Sequence, residues 1–159
     1  MPILLHRVDE RLIHGQVVIG WGSHLRPERY LVVDDDLAAS DWEQDLYRLG
    51  AGDAAVEFLG VSEARDRLAE WGAEPPRSIL LTRDVQTMLA LARDGLMEGQ
   101  EVNLGGIHHG PDRRQVLTYL HLTEADRQAV RELTAEGVRV SARDLPDAHR
   151  VGVDAILAP

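Results

Sequence analysis

The segment Arg7-Val8-Asp9-Glu10-Arg11-Leu12-Ile13-His14-Gly15-Gln16-Val17 gathers carboxylates, arginines and one histidine in a single short stretch. An apolar run, Ile3 to Val8, precedes it, and helical spacing follows from His14 to Ser23. His14 therefore falls where a strand hands over to a helix. Free backbone N–H groups and the positive end of the helix dipole favour an anion at such a spot. Arg11 offers a planar fork of donors suited to phosphoryl oxygens. Gly15 and Gln16 follow, the glycine letting the backbone approach without a Cβ in the way. Neutral imidazole is a nucleophile near pH 7, and its N–P bond stays reactive enough to pass the group on. The chemistry suggested is a phosphohistidine. The plain alternative for a single histidine at this position is a capping or surface residue.

The rest of the composition narrows the choice. At 159 residues, with 44% hydrophobic and 28% charged residues, the chain reads as one globular domain, 1–159. Its apolar runs are too short to span a bilayer. No basic leader with an apolar stretch precedes the first strand, so a cytoplasmic address is expected. Cysteine is absent, which excludes disulfides, thiolate metal sites and cysteine nucleophiles. A formal net charge of −10 argues against nucleic-acid partners. All 17 basic residues are arginine. Without lysine there is no P-loop lysine, Schiff base or lysine general base. An anion must be held by arginine, histidine or backbone N–H groups.

The elements that must position His14 alternate along the whole chain. Strands are expected at Ile3 to Val8, Arg29 to Asp34, Ala55 to Leu59, Ser78 to Thr82, Glu101 to Leu104, Val116 to Leu120 and Val138 to Ala142. Helices are expected from His14 to Ser23, Ser40 to Leu49, Ser62 to Trp71, Asp84 to Arg93, Thr123 to Glu136 and Val153 to Leu157. Ser40 and Ser62 stand as N-caps, Thr123 with Asp126 as a capping box, and glycines 50, 52, 95 and 137 as stops. This alternation implies an α/β three-layer sandwich, with a mostly parallel central sheet of about seven strands and helices on both faces. Ligands in such folds sit at the carboxyl ends of strands. That directs attention to Asp9 to His14, Asp34 to Asp36, Thr82 to Asp84 and Gly105 to Arg114.

Three other patterns carry less. Asp34-Asp35-Asp36 invites comparison with a phosphorylated-aspartate receiver. The chain lacks the phosphate-sensing lysine, and the triplet follows the second strand rather than the first. It reads as a solvated strand-end loop, with Asp34 able to lend a carboxylate to the His14 site. Gly50-Ala51-Gly52-Asp53-Ala54-Ala55 matches a dinucleotide fingerprint as text, but a helix precedes it and a strand follows, the reverse of what phosphate cradling needs. His108 and His109 with His14 could suggest zinc, yet adjacent residues rarely face one ion, so no metal and no cofactor are expected.

The stretch Arg7 to Val17 resembles the active-site segment of the mannose/fructose/sorbose family of phosphotransferase-system IIB subunits, Arg-Ile-Asp-Asp-Arg-Leu-Ile-His-Gly-Gln-Val. Val8 and Glu10 are the departures. Trp21 also falls where that family carries a tryptophan. Val102-Asn103-Leu104-Gly105-Gly106-Ile107-His108 is similar to its Asn-x-Gly-Gly-Met-His loop. Arg113-Arg114-Gln115 sits where it has a basic pair and glutamine, and Leu120 to Asp126, with His-Leu-Thr-Glu-Ala-Asp at its centre, resembles its Tyr-Leu-Thr-Glu-Glu-Asp segment. The resemblance spans essentially the whole chain.

It implies that His14 takes a phosphoryl group from a histidine of a IIA domain. The group then passes to a sugar bound by membrane IIC and IID subunits, with this chain peripherally associated. It further implies Nδ1 as the phosphorylated nitrogen, Arg11 as the charge-balancing residue and Asp9 as the orienting one. Arg7, Gly15, Gln16, Asp34, Thr82, Asn103, Gly105, Gly106 and His108 form the expected phosphoryl-binding and supporting set. If the first loop and the Gly105 to Arg114 loop share the carboxyl edge, Arg7, Arg11, Arg113 and Arg114 should surround His14. A second reading keeps the fold but makes the chain a non-catalytic anion or sugar-phosphate sensor. Homo-oligomerisation is left open.

Overall fold

The structure, a computed structural model, describes residues 3–159. Ile3–Val8 forms β1, buried over its last three residues. After the histidine loop, a π-helical segment, Gln16–Trp21, continues into α1, Gly22–Leu25. β2, Arg29–Val33, is buried throughout, and leads to α2, Asp35–Ala38, and α3, Asp41–Gly50. β3, Ala55–Leu59, is followed by α4, Val61–Ala73, and β4, Ser78–Thr82, by α5, Val85–Ala92. β5 is Glu101–Leu104; β6, Arg114–Leu117, and β7, Leu120–Leu122, then form an antiparallel hairpin. α6, Glu124–Ala135, β8, Arg139–Ala142, β9, Val151–Gly152, and α7, Val153–Ile156, complete the chain.

Seven strands make one sheet in the order β3-β2-β4-β1-β5-β8-β9. Every pairing is parallel except β8 with β9. Alternation along the strands divides the core in two. Leu31, Val33 and Leu80 face one layer with Ala64, Trp71, Met88 and Val130 of α4, α5 and α6. Tyr30, Val32, Ile79 and Leu81 face the other, with Leu12, Ile13, Val17 and Trp21 of the first loop and its helix. The three-layer α/β sandwich follows directly from strands apolar on both faces. β4 and β5 flank β1 on opposite sides, so the chain crosses over β1. The carboxyl end of β1 is thus the place where such sheets open a crevice.

Several local expectations change. The seventh strand of the main sheet is β9, while the expected strand at Val116 to Leu120 is bent into the separate β6–β7 hairpin. The helix after His14 begins at Gln16, with Gly15 in the N-cap position. The Asp34 to Asp36 triplet is no loop. Asp34 caps α2 by accepting the Leu37 N–H at 2.9 Å, and Asp35 accepts the Val61 N–H at 2.8 Å. Asp35 thereby takes the role expected of Ser62, and Gly60 stands at the N-cap of α4. Ser40 holds its N-cap position without a side-chain cap bond. The Thr123–Asp126 capping box forms as expected, with reciprocal bonds of 3.0 and 2.9 Å. Such a cap is worth about 1 kcal/mol to the helix it opens.

Candidate active site

The chain leaves β1 in a tight turn, closed by the Leu12 N–H on the Asp9 carbonyl at 3.0 Å. Leu12 takes a left-handed φ of 59°, unusual for a residue with a Cβ. Complete burial of its side chain in the core offsets that local strain, which is on the order of 1 kcal/mol. The turn delivers His14 just before the π-helical segment, in which the Val17 and Val18 N–H groups both donate to the His14 carbonyl. A π-helical segment at this point is itself a common companion of functional sites. Gly15 is exposed, and a Cβ there would meet nothing within 4 Å, so internal packing does not require glycine.

His14 Nε2 lies 3.0 Å from Asp9 Oδ1, beside the carboxylate but poorly aligned for a hydrogen bond. Nδ1 makes no hydrogen bond among the described residues. Asp9 is fully buried. Its Oδ1 also accepts the Arg11 N–H at 3.1 Å, and its Oδ2 receives Arg7 Nε and Nη2 at 3.3 and 3.1 Å and the Gly106 N–H at 3.4 Å. Burial alone would raise the Asp9 pKa. His14, the Arg7 charge and the Arg11 N–H outweigh it and hold the carboxyl below its ordinary range.

Arg7 is fully buried too, and every part of its guanidinium is used. Besides Asp9 it donates to Asn103 Oδ1, to the Arg143 carbonyl at 2.9 Å and to the Asp144 carbonyl at 3.2 Å. Trp21 completes this floor: its Nε1 donates to the Asp144 carbonyl at 2.9 Å, and Arg7 Cζ lies 5.3 Å from its ring centroid. Gly105 is explained by the same group, because a Cβ there would collide with the Arg7 guanidinium.

The Gly105 to Arg114 loop lies on the same edge as His14. Its backbone pairs with the first loop through the Glu10 N–H on the Gly106 carbonyl at 2.8 Å. Glu10 reaches across to His108 and Arg113, and these contacts hold its pKa low against the opposing effect of partial burial. Arg11 is exposed, and its guanidinium extends to Gln16 Oε1 at 3.4 Å.

The structure thus brings together Asp9, Arg11, His14, Gly15 and Gln16 with Gly105, Gly106 and His108, and it sets Arg7 and Asn103 beneath them. Three expectations need correction. Arg7 is enclosed by Asp9, Asn103 and two carbonyls, so it braces Asp9 and does not line the anion site. Arg114 points away and donates to the Ala158 carbonyl at 2.8 Å. The ring of four arginines therefore reduces to Arg11 and Arg113 at the surface. Asp34, two strands from β1, caps α2 and lends nothing to His14. Thr82 supports the loop only through its carbonyl, which accepts the Asp9 N–H at 3.0 Å; its hydroxyl donates to the Asp84 carbonyl. His109 stacks edge-on with His121. The sequence reading missed the carbonyls of residues 143 and 144. Applying the strand-end rule to β8 as well would have flagged that segment.

A parallel α/β sheet with a histidine at the carboxyl edge, backed by a buried aspartate–arginine pair, is the class these features define. The family model for the sorbose-subfamily IIB component of the phosphotransferase system matches residues 3–159, and the chain belongs to that family. It is 30% identical to the N-acetylgalactosamine-specific phosphotransferase enzyme IIB component 1 of Escherichia coli, over 91% of each chain. It is 27% identical to the mannose-specific EIIAB component of Escherichia coli, covering 90% of this chain and 44% of that one. Among solved structures, the IIBSor domain of the sorbose permease from Klebsiella pneumoniae superposes with a TM-score of 0.86 at 27% identity, over 98% of this chain and 96% of that one. The chain is a IIB component of a sugar phosphotransferase system, a phosphocarrier transferase of sugar uptake. Among the described residues no helix is long and apolar enough to cross a membrane.

Proposed function

We propose that His14 is the phosphoryl carrier and that Nδ1 is its nucleophilic atom. The observation that carries this is the pairing of Nε2 with the buried Asp9 carboxylate, which leaves Nδ1 without a partner. The Nδ1 lone pair attacks the phosphorus of a phosphohistidine on a IIA phosphocarrier domain, and the donor's N–P bond breaks. In the second step a sugar hydroxyl attacks phosphorus, the His14 N–P bond breaks with its electron pair returning to Nδ1, and the hydroxyl proton passes to water. Asp9 orients the imidazole and stabilises positive charge on it. Arg11 balances charge on the transferring group, with Gly15 leaving room around it and Gln16 holding the Arg11 guanidinium.

The partners inferred are a IIA domain and membrane IIC and IID subunits carrying the sugar, with the chain cytoplasmic and peripheral to them. The name of the mannose EIIAB relative, which extends well beyond the matched region, supports the IIA partner. One continuous sheet supports reading 1–159 as a single domain. No resident metal or cofactor enters either step.

Incubation with phosphoenolpyruvate, the general phosphotransfer proteins and the cognate IIA is expected to give one acid-labile, base-stable phosphate, absent from His14→Ala. Label that survives His14→Ala, or that resists acid, would sink the proposal. A non-catalytic anion sensor would bind phosphate yet form no covalent adduct in the same assay.

A further inference from the structure

We propose that Glu10 is a positioning residue for phosphoryl transfer: its carboxylate fastens the tip of the Gly105 to Arg114 loop to the histidine loop and so holds Arg113 and His108 at the edge of the site. The inference rests on the reading of His14 as the carrier.

Glu10 directly follows Asp9, but its side chain leaves the floor of the site and crosses to the other loop. Oε2 accepts the His108 backbone N–H at 2.8 Å and lies 2.9 Å from His108 Nδ1. Oε1 accepts from Arg113 Nη1 at 3.1 Å, and the same Nη1 donates to the His108 carbonyl at 2.7 Å. One carboxylate thus joins both ends of the loop tip to a segment about a hundred residues earlier in the chain, with separations of 98 and 103.

The tip has little else to hold it. Up to Ile107 the loop is tied by main-chain bonds, Ile107 N–H to the Tyr119 carbonyl and His121 N–H to the Ile107 carbonyl, both 2.9 Å. From His108 to Arg113 there is no strand pairing; apart from the Glu10 ties, the tip has a turn closed by the Arg113 N–H on the Gly110 carbonyl at 3.2 Å and the edge-on contact of His109 with His121. Within that turn Asp112 has a left-handed φ of 59°. A loop so built is held by its side-chain ties or not at all. The remaining Arg113 N–H groups make no hydrogen bond among the described residues, which leaves them available to an anion. Glu10 and Arg113 are both partly exposed, so their ion pair contributes little to folding stability. Its consequence should appear in transfer.

Position and charge predict opposite signs here. Removing a carboxylate near an anion site should, by charge alone, help an anion to bind. If Glu10 acts by holding the loop, removing it should hurt. The test uses the full chain and phosphoramidate, a small-molecule phosphoryl donor, and follows acid-labile phosphate on His14. Glu10→Ala is expected to slow labelling on the order of tenfold with an unchanged melting temperature. Glu10→Asp should recover part of the rate. Arg113→Ala should cost a similar factor, and the double variant no more than the slower single one, since the two residues act as a unit. Labelling at the wild-type rate or faster in Glu10→Ala would overturn the proposal, as would losses that multiply in the double variant. Should the wild-type chain take no label from phosphoramidate, the same variants are compared with the cognate IIA as donor, and absence of label there too sinks the carrier reading instead. Titration with inorganic phosphate then still decides the role of Glu10: weaker binding in Glu10→Ala supports positioning, and equal or tighter binding refutes it.

Discussion

Asp9 joins an accessible histidine to a buried arginine: Oδ1 lies 3.0 Å from His14 Nε2, and Oδ2 lies 3.1 Å from Arg7 Nη2. Both Asp9 and Arg7 are fully buried, so the carboxylate is structural and chemical at once. Asp9→Ala leaves a buried guanidinium without its counter-charge, and breaking such a pair costs about 3 kcal/mol or more. Denaturant unfolding of that variant should show this loss. A loss below about 1 kcal/mol would mean that Asn103 and the two carbonyls suffice for Arg7.

Arg11→Lys keeps the charge but replaces a planar fork with a single ammonium. Phosphoryl transfer to His14 should slow on the order of 10²-fold, the usual cost of one lost transition-state contact. The fold should be indifferent, because Arg11 is exposed and bonds only Gln16 through its side chain. Quench-flow labelling at the wild-type rate would make Arg11 a bystander.

His6, in the middle of β1, carries a prediction about pH. Burial lowers its pKa from 6.5 to about 4. Between those values the unfolded chain binds a proton that the folded chain refuses. Stability is therefore complete above pH 6.5, falls as the pH drops from there to about 4, and levels off below. At about 1.4 kcal/mol per pH unit the loss amounts to about 3 kcal/mol. The Asp9 contribution disappears only at still lower pH, because its folded-state pKa lies below the ordinary carboxylate value of about 4. Urea titrations across this range should show the slope, and His6→Leu should remove it. A slope that persists in His6→Leu belongs to another group.

Gly105→Ala sets a Cβ against the Arg7 guanidinium, which has no room to retreat. Overpacking of this kind costs about 1–3 kcal/mol. The variant should lose stability and His14 labelling together, whereas Gly15→Ala, with open space around its Cβ, should keep its stability. Thermal melts that rank the two the other way would contradict the packing described for Arg7.

The sheet was legible because β2 and β4 are apolar on both faces, a pattern that only two covering layers satisfy. The histidine loop was legible because its residues are contiguous. What escaped was either too short or too distant. β9 is two residues long and α2 four, so neither carries a period. The side chain of Arg7, one residue inside a strand, was expected to face an anion; only Asn103, residues 143 and 144 and Trp21 decide that it turns inward. Glu10 is similar. Its charge is visible in the sequence, but its partners lie about a hundred residues on and become its partners only through folding.

The bonds from Arg7 and Trp21 to the carbonyls of residues 143 and 144 span between 123 and 137 positions. Order of synthesis then matters. His14 and Arg11 are made more than a hundred residues before the segment that anchors Arg7. At roughly 5–20 residues per second, the nascent chain carries its histidine for on the order of ten seconds before the floor beneath it can close. A chain cut short before Arg143 holds every residue of the histidine loop and still lacks the support that orders it. The order around His14 is thus completed only by residues made long after it.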